Sequence, residues 1–204
     1  MTEPSPADRW TARYDTPEYL YGETANDFLR DRAHLIPPGP VLCVADGEGR
    51  NGVWLAERGH AVTSVDVAPT AIDKARRLAR RRGVRLDAVV ADMAEFEIAP
   101  GAWSGVVWIF AHLPPPVREA ALRASAAGLA PGGLLLVEAY APEQVGRGTG
   151  GPPDPALCFT AEGLAAAVEG LEVLHLEARE RDVHEGRLHR GRAAVVQALA
   201  RRPR

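Results

Sequence analysis

Residues 41–52 read VLCVADGEGRNG and join a short apolar run to a glycine-rich loop. An apolar run of this length, rich in valine and bounded by turn residues, predicts a buried strand. Gly47, Gly49 and Gly52 follow the pattern G-x-G-x-x-G where a helical segment begins. Glycines at these positions permit a tight turn and let a ligand approach the backbone. The stretch therefore predicts the first turn of a Rossmann-like fold.

An acidic residue lies where such a fold places one for a ribose. Asp66 ends the next apolar run and follows Gly47 by 19 positions. A spacing of about 20 residues suits a carboxylate that accepts hydrogen bonds from a ribose diol. The alternative is an aspartate that ends a strand and binds no ligand. The glycines, their strand context and this acid together favour an adenosine-containing cofactor.

The rest of the chain alternates between apolar runs and segments with helical spacing, which predicts a doubly wound α/β sheet. Strands are expected at residues 41–45, 61–67, 86–91, 105–110 and 134–137, and helices at residues 51–58, 71–82 and 117–129. Two further strands, 172–177 and 193–199, have no helix between them and should form an antiparallel pair that turns near Glu185 and Gly186. The Gly146–Pro155 loop is expected to be a surface loop over the site or a mobile excursion.

The charges of the glycine loop discriminate between cofactors. Asp46 and Glu48 flank the first glycine, and two carboxylates there would repel the pyrophosphate of NAD. S-adenosylmethionine has no phosphate, and its ammonium and sulfonium groups are attracted to carboxylates. Asp92 and Met93 follow the third strand, where a carboxylate can accept from the adenine amino group. Asp92 could equally cap the following turn.

Composition narrows the functional class. The chain has 204 residues, enough for one α/β domain, and a formal net charge of −3 that gives no reason to bind nucleic acid. Its two cysteines, Cys43 and Cys158, form no CxxC pair, and the histidines are too scattered to predict a metal site. The N-terminus has no apolar segment typical of a signal peptide. We expect a cytoplasmic monomer that contacts neither membrane nor nucleic acid and acts on a small molecule.

Several motifs resemble the class I S-adenosylmethionine-dependent methyltransferases, and within them the tellurite-resistance and thiopurine methyltransferase-like group. The resemblance covers nearly the whole chain. The motifs that carry it are Trp10-x-x-Arg13-Tyr14, residues 21–29, residues 45–51, Val65-Asp66-Val67, residues 110–114 and residues 181–186.

This resemblance implies a three-layer Rossmann-like sandwich whose seven-stranded sheet has six parallel strands and one antiparallel C-terminal strand. It implies one domain, with a helical lid segment over residues 1–36 and the core over residues 37–204. Trp10, Arg13 and Tyr21 would fold over the cofactor, or else anchor the N-terminal segment to the sheet. The expected cofactor-binding residues are Trp10, Arg13, Tyr21, Asp46, Gly47, Gly49, Asn51, Asp66, Val67, Asp92, Met93 and Phe110.

The acceptor is expected near the ends of the fourth and fifth strands, between His112, Tyr140 and residues 181–189. His112 follows the fourth strand and could serve as a general base, or it could fix the turn at residues 114–116. Arg181 corresponds to a basic residue near the acceptor in the resembling group, and the alternative is a solvated hairpin. A soft thiol, selenium or tellurium acceptor would fit. The other functions left open are a non-catalytic cofactor-binding module and an NAD-dependent oxidoreductase.

Overall fold

The protein, described over residues 5–204 by a computed structural model, is built on one seven-stranded sheet. The strands are β1 Pro40–Val44, β2 Ala61–Asp66, β3 Asp87–Val90, β4 Trp103–Ile109, β5 Leu129–Tyr140, β6 Glu172–Glu185 and β7 His189–Arg201. Their order in the sheet is β3-β2-β1-β4-β5-β7-β6. Strands β1 to β5 pair in parallel, and β7 is antiparallel to both neighbours. The predicted fold class, with its single antiparallel C-terminal strand, is confirmed.

Within residues 5–204, six α-helices join or flank the strands. They are α1 Pro6–Tyr14, α2 Asp27–Arg32, α3 Arg50–Ala56, α4 Pro69–Arg82, α5 Pro115–Gly128 and α6 Ala161–Ala167. Their ends follow local sequence rules. Ser5 and Asp8 form a capping box at α1, and Asn26 accepts from the Leu29 N–H at α2. Gly83 ends α4 in the left-handed conformation that glycine adopts without a steric penalty.

The helices cover both faces of the sheet and enclose its apolar strands. One face packs against α2 and α3 through residues such as Phe28, Leu29 and Leu55. The other packs against α5 and α6 through residues such as Leu122 and Leu164. The chain changes direction across the sheet between β1 and β4, which are neighbours although β2 and β3 separate them in sequence. Open α/β sheets bind ligands at such a switch point.

The last strands are longer than the sequence predicts. Residues 181–185 and His189, expected in a polar connection, lie in the β6–β7 ladder, and only residues 186–188 form the turn. The cause is a buried set of paired charges along this ladder, which removes the apolar alternation that marks a strand. Among residues 5–204, no helix is long and apolar enough to cross a membrane.

Candidate active site

The loop after β1 is shaped by positive backbone angles. Ala45, Gly47 and Gly49 have φ values of 47°, 59° and 85°. At Gly49 a Cβ would stand 2.5 Å from the Cβ of Ala75 in α4, so only glycine lets the loop pack against that helix. Gly49 also precedes α3 directly. The loop thus directs backbone N–H groups at the helix N-terminus towards the switch point, as the sequence predicts.

Asp46 closes this loop from inside the protein. Its Oδ2 accepts from the Gly52 N–H at 3.1 Å and from the Ser64 hydroxyl at 2.8 Å. Burial raises the pKa of Asp46 to about 6, although these hydrogen bonds oppose the shift. The carboxylate therefore stabilises the shape of the glycine loop and does not present a free charge to a ligand.

Asp66 connects the end of β2 to the same loop. Its Oδ2 accepts from the Gly47 N–H at 2.9 Å, and its Oδ1 accepts from the Ala68 N–H at 2.9 Å. Burial also raises the pKa of Asp66 to about 6. Each carboxylate oxygen has two lone pairs, so both remain able to accept from a ribose diol. The geometry is compatible with the predicted ribose contact and shows that Asp66 also fixes the loop.

Glu48 is held by an internal cation. Its Oε1 lies 2.7 Å from the Lys74 Nζ, and both side chains are buried. Its Oε2 accepts from the Tyr21 N–H at 3.2 Å. This ion pair neutralises the negative charge of Glu48, which the sequence led us to expect would repel a pyrophosphate. With Asp46 hydrogen-bonded inside the loop and Glu48 paired with Lys74, neither carboxylate presents a free charge to a ligand.

The remaining predicted cofactor residues lie along the same edge of the sheet. Val67 follows β2. Asp92 Oδ1 accepts from the Ala94 N–H at 2.9 Å, so Asp92 caps the following turn, as the alternative interpretation expects. Its second carboxylate oxygen takes no part in that hydrogen bond. Met93 is buried in the core on the α5 face. Asn51 Oδ1 accepts from the Asn26 N–H at 3.0 Å and so ties α3 to the start of α2.

Phe110 marks the other side of the switch point. It follows β4 with a φ of 53°, a left-handed conformation that costs a residue with a Cβ about 1–3 kcal/mol. Its ring stacks on Tyr140 at 4.4 Å between centroids and meets His189 edge-on at 4.7 Å. The strained turn thus places an aromatic cluster of Phe110, Tyr140 and His189 beside the glycine loop, at the ends of β4 and β5 and the start of β7.

The N-terminal segment closes over this edge through aromatic contacts. Trp10 stacks on Tyr14 at 5.6 Å, and Tyr14 reaches Gly47, where its hydroxyl would stand 2.7 Å from an added Cβ. Arg13 Nε donates to the Tyr21 hydroxyl at 2.9 Å. Tyr21 in turn packs on His189 at 4.5 Å. The three residues predicted as a lid are therefore brought together over the site, although this arrangement also suits an anchor.

His112 has both ring nitrogens engaged. Nδ1 donates to the Leu157 carbonyl at 2.9 Å, and Nε2 lies 3.4 Å from the Tyr140 N–H, from which it accepts. Burial lowers the pKa of His112 to about 4. These contacts join the ends of β4 and β5 to the 155–157 turn. They favour the structural alternative over the predicted general base.

Arg181 lies in a buried charge network rather than opposite an open pocket. Its guanidinium bonds to Glu138, contacts Glu185 at 2.7 Å and reaches Asp27 at 3.5 Å. Glu185 also pairs with Arg50 at 2.5 Å. Burial would raise the pKa of Glu185, but the guanidinium groups of Arg50 and Arg181 outweigh burial and lower it. With its charge paired internally, Arg181 does not fit the predicted role of holding an anionic acceptor.

Three residues of this network had no role expected from the sequence: Asn26, Glu138 and Gln197. Asn26 donates to Glu138 at 2.9 Å and to Glu185 at 2.8 Å, and Gln197 donates to Glu138. Glu138 lies in an otherwise apolar strand, a break in pattern that could have marked a buried partner. Within residues 5–204 no group of three or more His, Cys, Asp or Glu side chains is arranged to hold a metal.

Comparison with known proteins fits this geometry. Residues 41–133, which include the glycine loop, Asp66 and the strained Phe110 turn, match the family described as "Methyltransferase domain". These residues are therefore similar to a methyltransferase domain, the domain type that the sequence predicts.

Two proteins that resemble this chain are methyltransferases whose names state different substrates. The chain is 33% identical over 124 residues to a 2-heptyl-1-hydroxyquinolin-4(1H)-one methyltransferase of Mycobacteroides abscessus. That match covers 59% of this chain and 55% of the relative, so it spans about half of the relative's length.

Solved structures show the same fold. TehB from Haemophilus influenzae is 20% identical with a TM-score of 0.72, over 96% of this chain and 66% of TehB. A 1,6-didemethyltoxoflavin-N1-methyltransferase of Burkholderia thailandensis is 24% identical with a TM-score of 0.57, over 85% of this chain and 75% of its own.

Proposed function

We propose that this protein transfers the methyl group of S-adenosylmethionine to a small-molecule acceptor bound at the aromatic cluster of Phe110, Tyr140 and His189. The observation that carries the proposal is the strained Phe110 turn, which places this cluster beside the glycine loop at the switch point. A residue held in a costly conformation at a ligand-binding edge is typical of a functional site.

The residues fit S-adenosylmethionine on structural grounds. The loop at Gly47 and Gly49 presents backbone without side chains, and the buried carboxylate of Asp66 can accept from a ribose. The cofactor supplies a methyl group on a positively charged sulfur, which is an activated leaving group. The protein's part is then to hold the acceptor in line with that methyl group and to exclude water. Trp10, Tyr14 and Tyr21 are placed to provide the exclusion.

The sequence predicts a thiol, selenium or tellurium compound as the acceptor. The fold shared with TehB is compatible with that class. A soft nucleophile of this kind needs little help from a base, which agrees with the engaged nitrogens of His112.

A second acceptor class is an aromatic heterocycle, and the stacked rings of Phe110 and Tyr140 favour it. Flat aromatic surfaces bind planar ligands by offset stacking. The relatives from Mycobacteroides abscessus and Burkholderia thailandensis are named for a hydroxyquinolinone and a toxoflavin precursor. Of the two acceptor classes, we therefore favour an aromatic heterocycle over a thiol, selenium or tellurium compound.

A methyl-transfer screen tests the proposal. Purified protein is given labelled S-adenosylmethionine with each of three acceptor sets: hydroxyquinolinones, aryl thiols, and selenite or tellurite. We expect label in a hydroxyquinolinone product, and release of S-adenosylhomocysteine only when an acceptor is present. Binding of S-adenosylmethionine without turnover of any acceptor would favour a non-catalytic binding module instead. Size-exclusion chromatography in the same buffer tests the expectation that the protein is a monomer.

A further inference from the structure

Two side chains of the aromatic cluster carry buried polar atoms with no hydrogen-bond partner within residues 5–204. These are Tyr140 Oη and His189 Nδ1. Tyr140 is 0% exposed and His189 is 9% exposed. Leaving such an atom unpaired costs about 1–3 kcal/mol, so native proteins usually pair it with protein, water or a ligand. Both atoms are therefore free to hydrogen-bond a ligand that reaches the aromatic cluster.

Their position ties that ligand to the methyl-transfer site. The rings of Tyr140 and His189 meet edge-on at 5.3 Å, and each contacts Phe110. Gly150 of the 146–155 loop lies against both rings, because a Cβ there would stand 2.7 Å from Tyr140 Oη and 2.9 Å from His189 Cδ2. An acceptor that enters between these rings must displace this loop or Tyr21.

The surroundings keep His189 neutral. Burial lowers its pKa well below the usual value, and nearby positive charges lower it further. The charged and titratable groups around it include Arg13 of α1, Arg50 of α3, Arg181 and the strand partner Glu185 of β6, and the side chains of Tyr21, His112 and Tyr140. The lowered pKa makes His189 a weak base, so it suits an acceptor whose O–H or ring N–H is itself acidic; the neutral imidazole has one ring nitrogen with a free lone pair that can take this proton.

We propose that His189 is the general base for the acceptor and that the Tyr140 hydroxyl hydrogen-bonds the same acceptor. This inference rests on the proposed function and assigns an acceptor that carries an ionisable O–H or ring N–H. As the acceptor's oxygen or nitrogen forms a bond to the methyl carbon, the carbon–sulfur bond breaks and sulfur keeps that electron pair. The acceptor's proton moves to the imidazole and then to water.

The test compares His189→Phe and Tyr140→Phe with wild type, using 2-heptyl-1-hydroxyquinolin-4(1H)-one as probe. Phenylalanine preserves the stacking of either ring and removes only the polar atom. We expect His189→Phe to lower kcat by about 10²-fold when the pH lies below the acceptor's pKa. The deficit should disappear above that pKa, because an ionised acceptor needs no base. Tyr140→Phe should raise KM at every pH.

His175→Phe is the matched control. His175 Nε2 is also buried without a hydrogen-bond partner among the described residues, but it lies on β6 and packs against Phe28 away from the cluster. This variant should keep the wild-type rate and pH profile. If His189→Phe does not fold, His189→Asn replaces it with the same expectation. A pH-independent deficit, or none, would overturn the assignment.

Acceptor binding separates failure of this inference from failure of the proposed function. Calorimetry with S-adenosylhomocysteine and the hydroxyquinolinone measures acceptor affinity without turnover. Weaker binding in both the His189 and Tyr140 variants, with unchanged affinity for S-adenosylhomocysteine, supports the two hydrogen bonds to the acceptor even if wild type does not methylate this probe. Equal acceptor affinity in wild type and both variants would contradict it.

Discussion

Replacing Arg181 with alanine separates a structural role of this residue from the catalytic role that the sequence predicts. The guanidinium pairs with Glu138, which is 0% exposed, and with Glu185 at 2.7 Å. Without it, Glu138 keeps only Asn26 and Gln197 as hydrogen-bond donors among its side-chain contacts in the described chain. Breaking a buried ion pair from one side costs about 3–5 kcal/mol, because it leaves an uncompensated charge. We expect that loss in the free energy of unfolding at pH 7.

The assay is urea denaturation followed by circular dichroism across pH. Glu185 has a lowered pKa in the folded state, so its ionisation stabilises the fold above its unfolded value of about 4.3 and this contribution is lost as pH falls. The deficit of Arg181→Ala should therefore shrink below about pH 4. Glu138→Gln in the same background should recover part of the loss, since it removes the unpaired charge.

Arg179→Ala is the matched control for this experiment. Arg179 lies on the same strand, but its side chain is 46% exposed and pairs with Glu177 at 3.4 Å. Exposed pairs of this kind contribute about 0–1 kcal/mol. If Arg181→Ala is as stable as Arg179→Ala and loses only methyl transfer, the reasoning is refuted and Arg181 acts on the acceptor.

Three further predictions follow from the site. Asp66→Ala should weaken S-adenosylmethionine binding by about 1.5–3 kcal/mol in calorimetry, through lost hydrogen bonds to a charged group, while wild-type affinity would show that Asp66 holds only the loop. Asp46 has a pKa of about 6 when folded and about 3.9 when unfolded, so wild-type stability should fall as pH rises between these values, and Asp46→Asn should show a smaller fall in urea titrations. Trp10 emission should change on cofactor binding because Trp10 stacks on Tyr14 at Gly47, and a Trp10→Phe variant should lack that change.

Most of the fold could be predicted from the local pattern of apolar residues. The run before Gly47 and the apolar segments after it are buried on both faces, so each strand appears as a continuous apolar stretch. The limits of β6 and β7 were missed because Arg181 and Glu185 hold charges inside the protein. A charged residue reads as solvent-exposed until its partners are known, and Arg50, Glu138 and Asn26 come from three distant segments.

Prediction of the site was limited for the same reason, because the sequence does not show which polar side chains are paired. Asp66 and the glycines are recognised by spacing along the chain, and the structure places them together. His112 and Arg181 were chosen because they follow strands or match a basic position, and neither criterion counts hydrogen-bond partners. Tyr140 and the segment that contains His189 were expected near the acceptor, but only burial and the absence of a partner within residues 5–204 single out their polar atoms.

The central claim is that the loop at Gly47 and the carboxylate of Asp66 hold S-adenosylmethionine for methyl transfer. Calorimetry with the purified protein tests it most directly, by titrating S-adenosylmethionine, S-adenosylhomocysteine and NAD in separate experiments. We expect saturable binding of the first two at one site per chain and no measurable heat with NAD. Binding of NAD with no binding of either sulfur compound would contradict it.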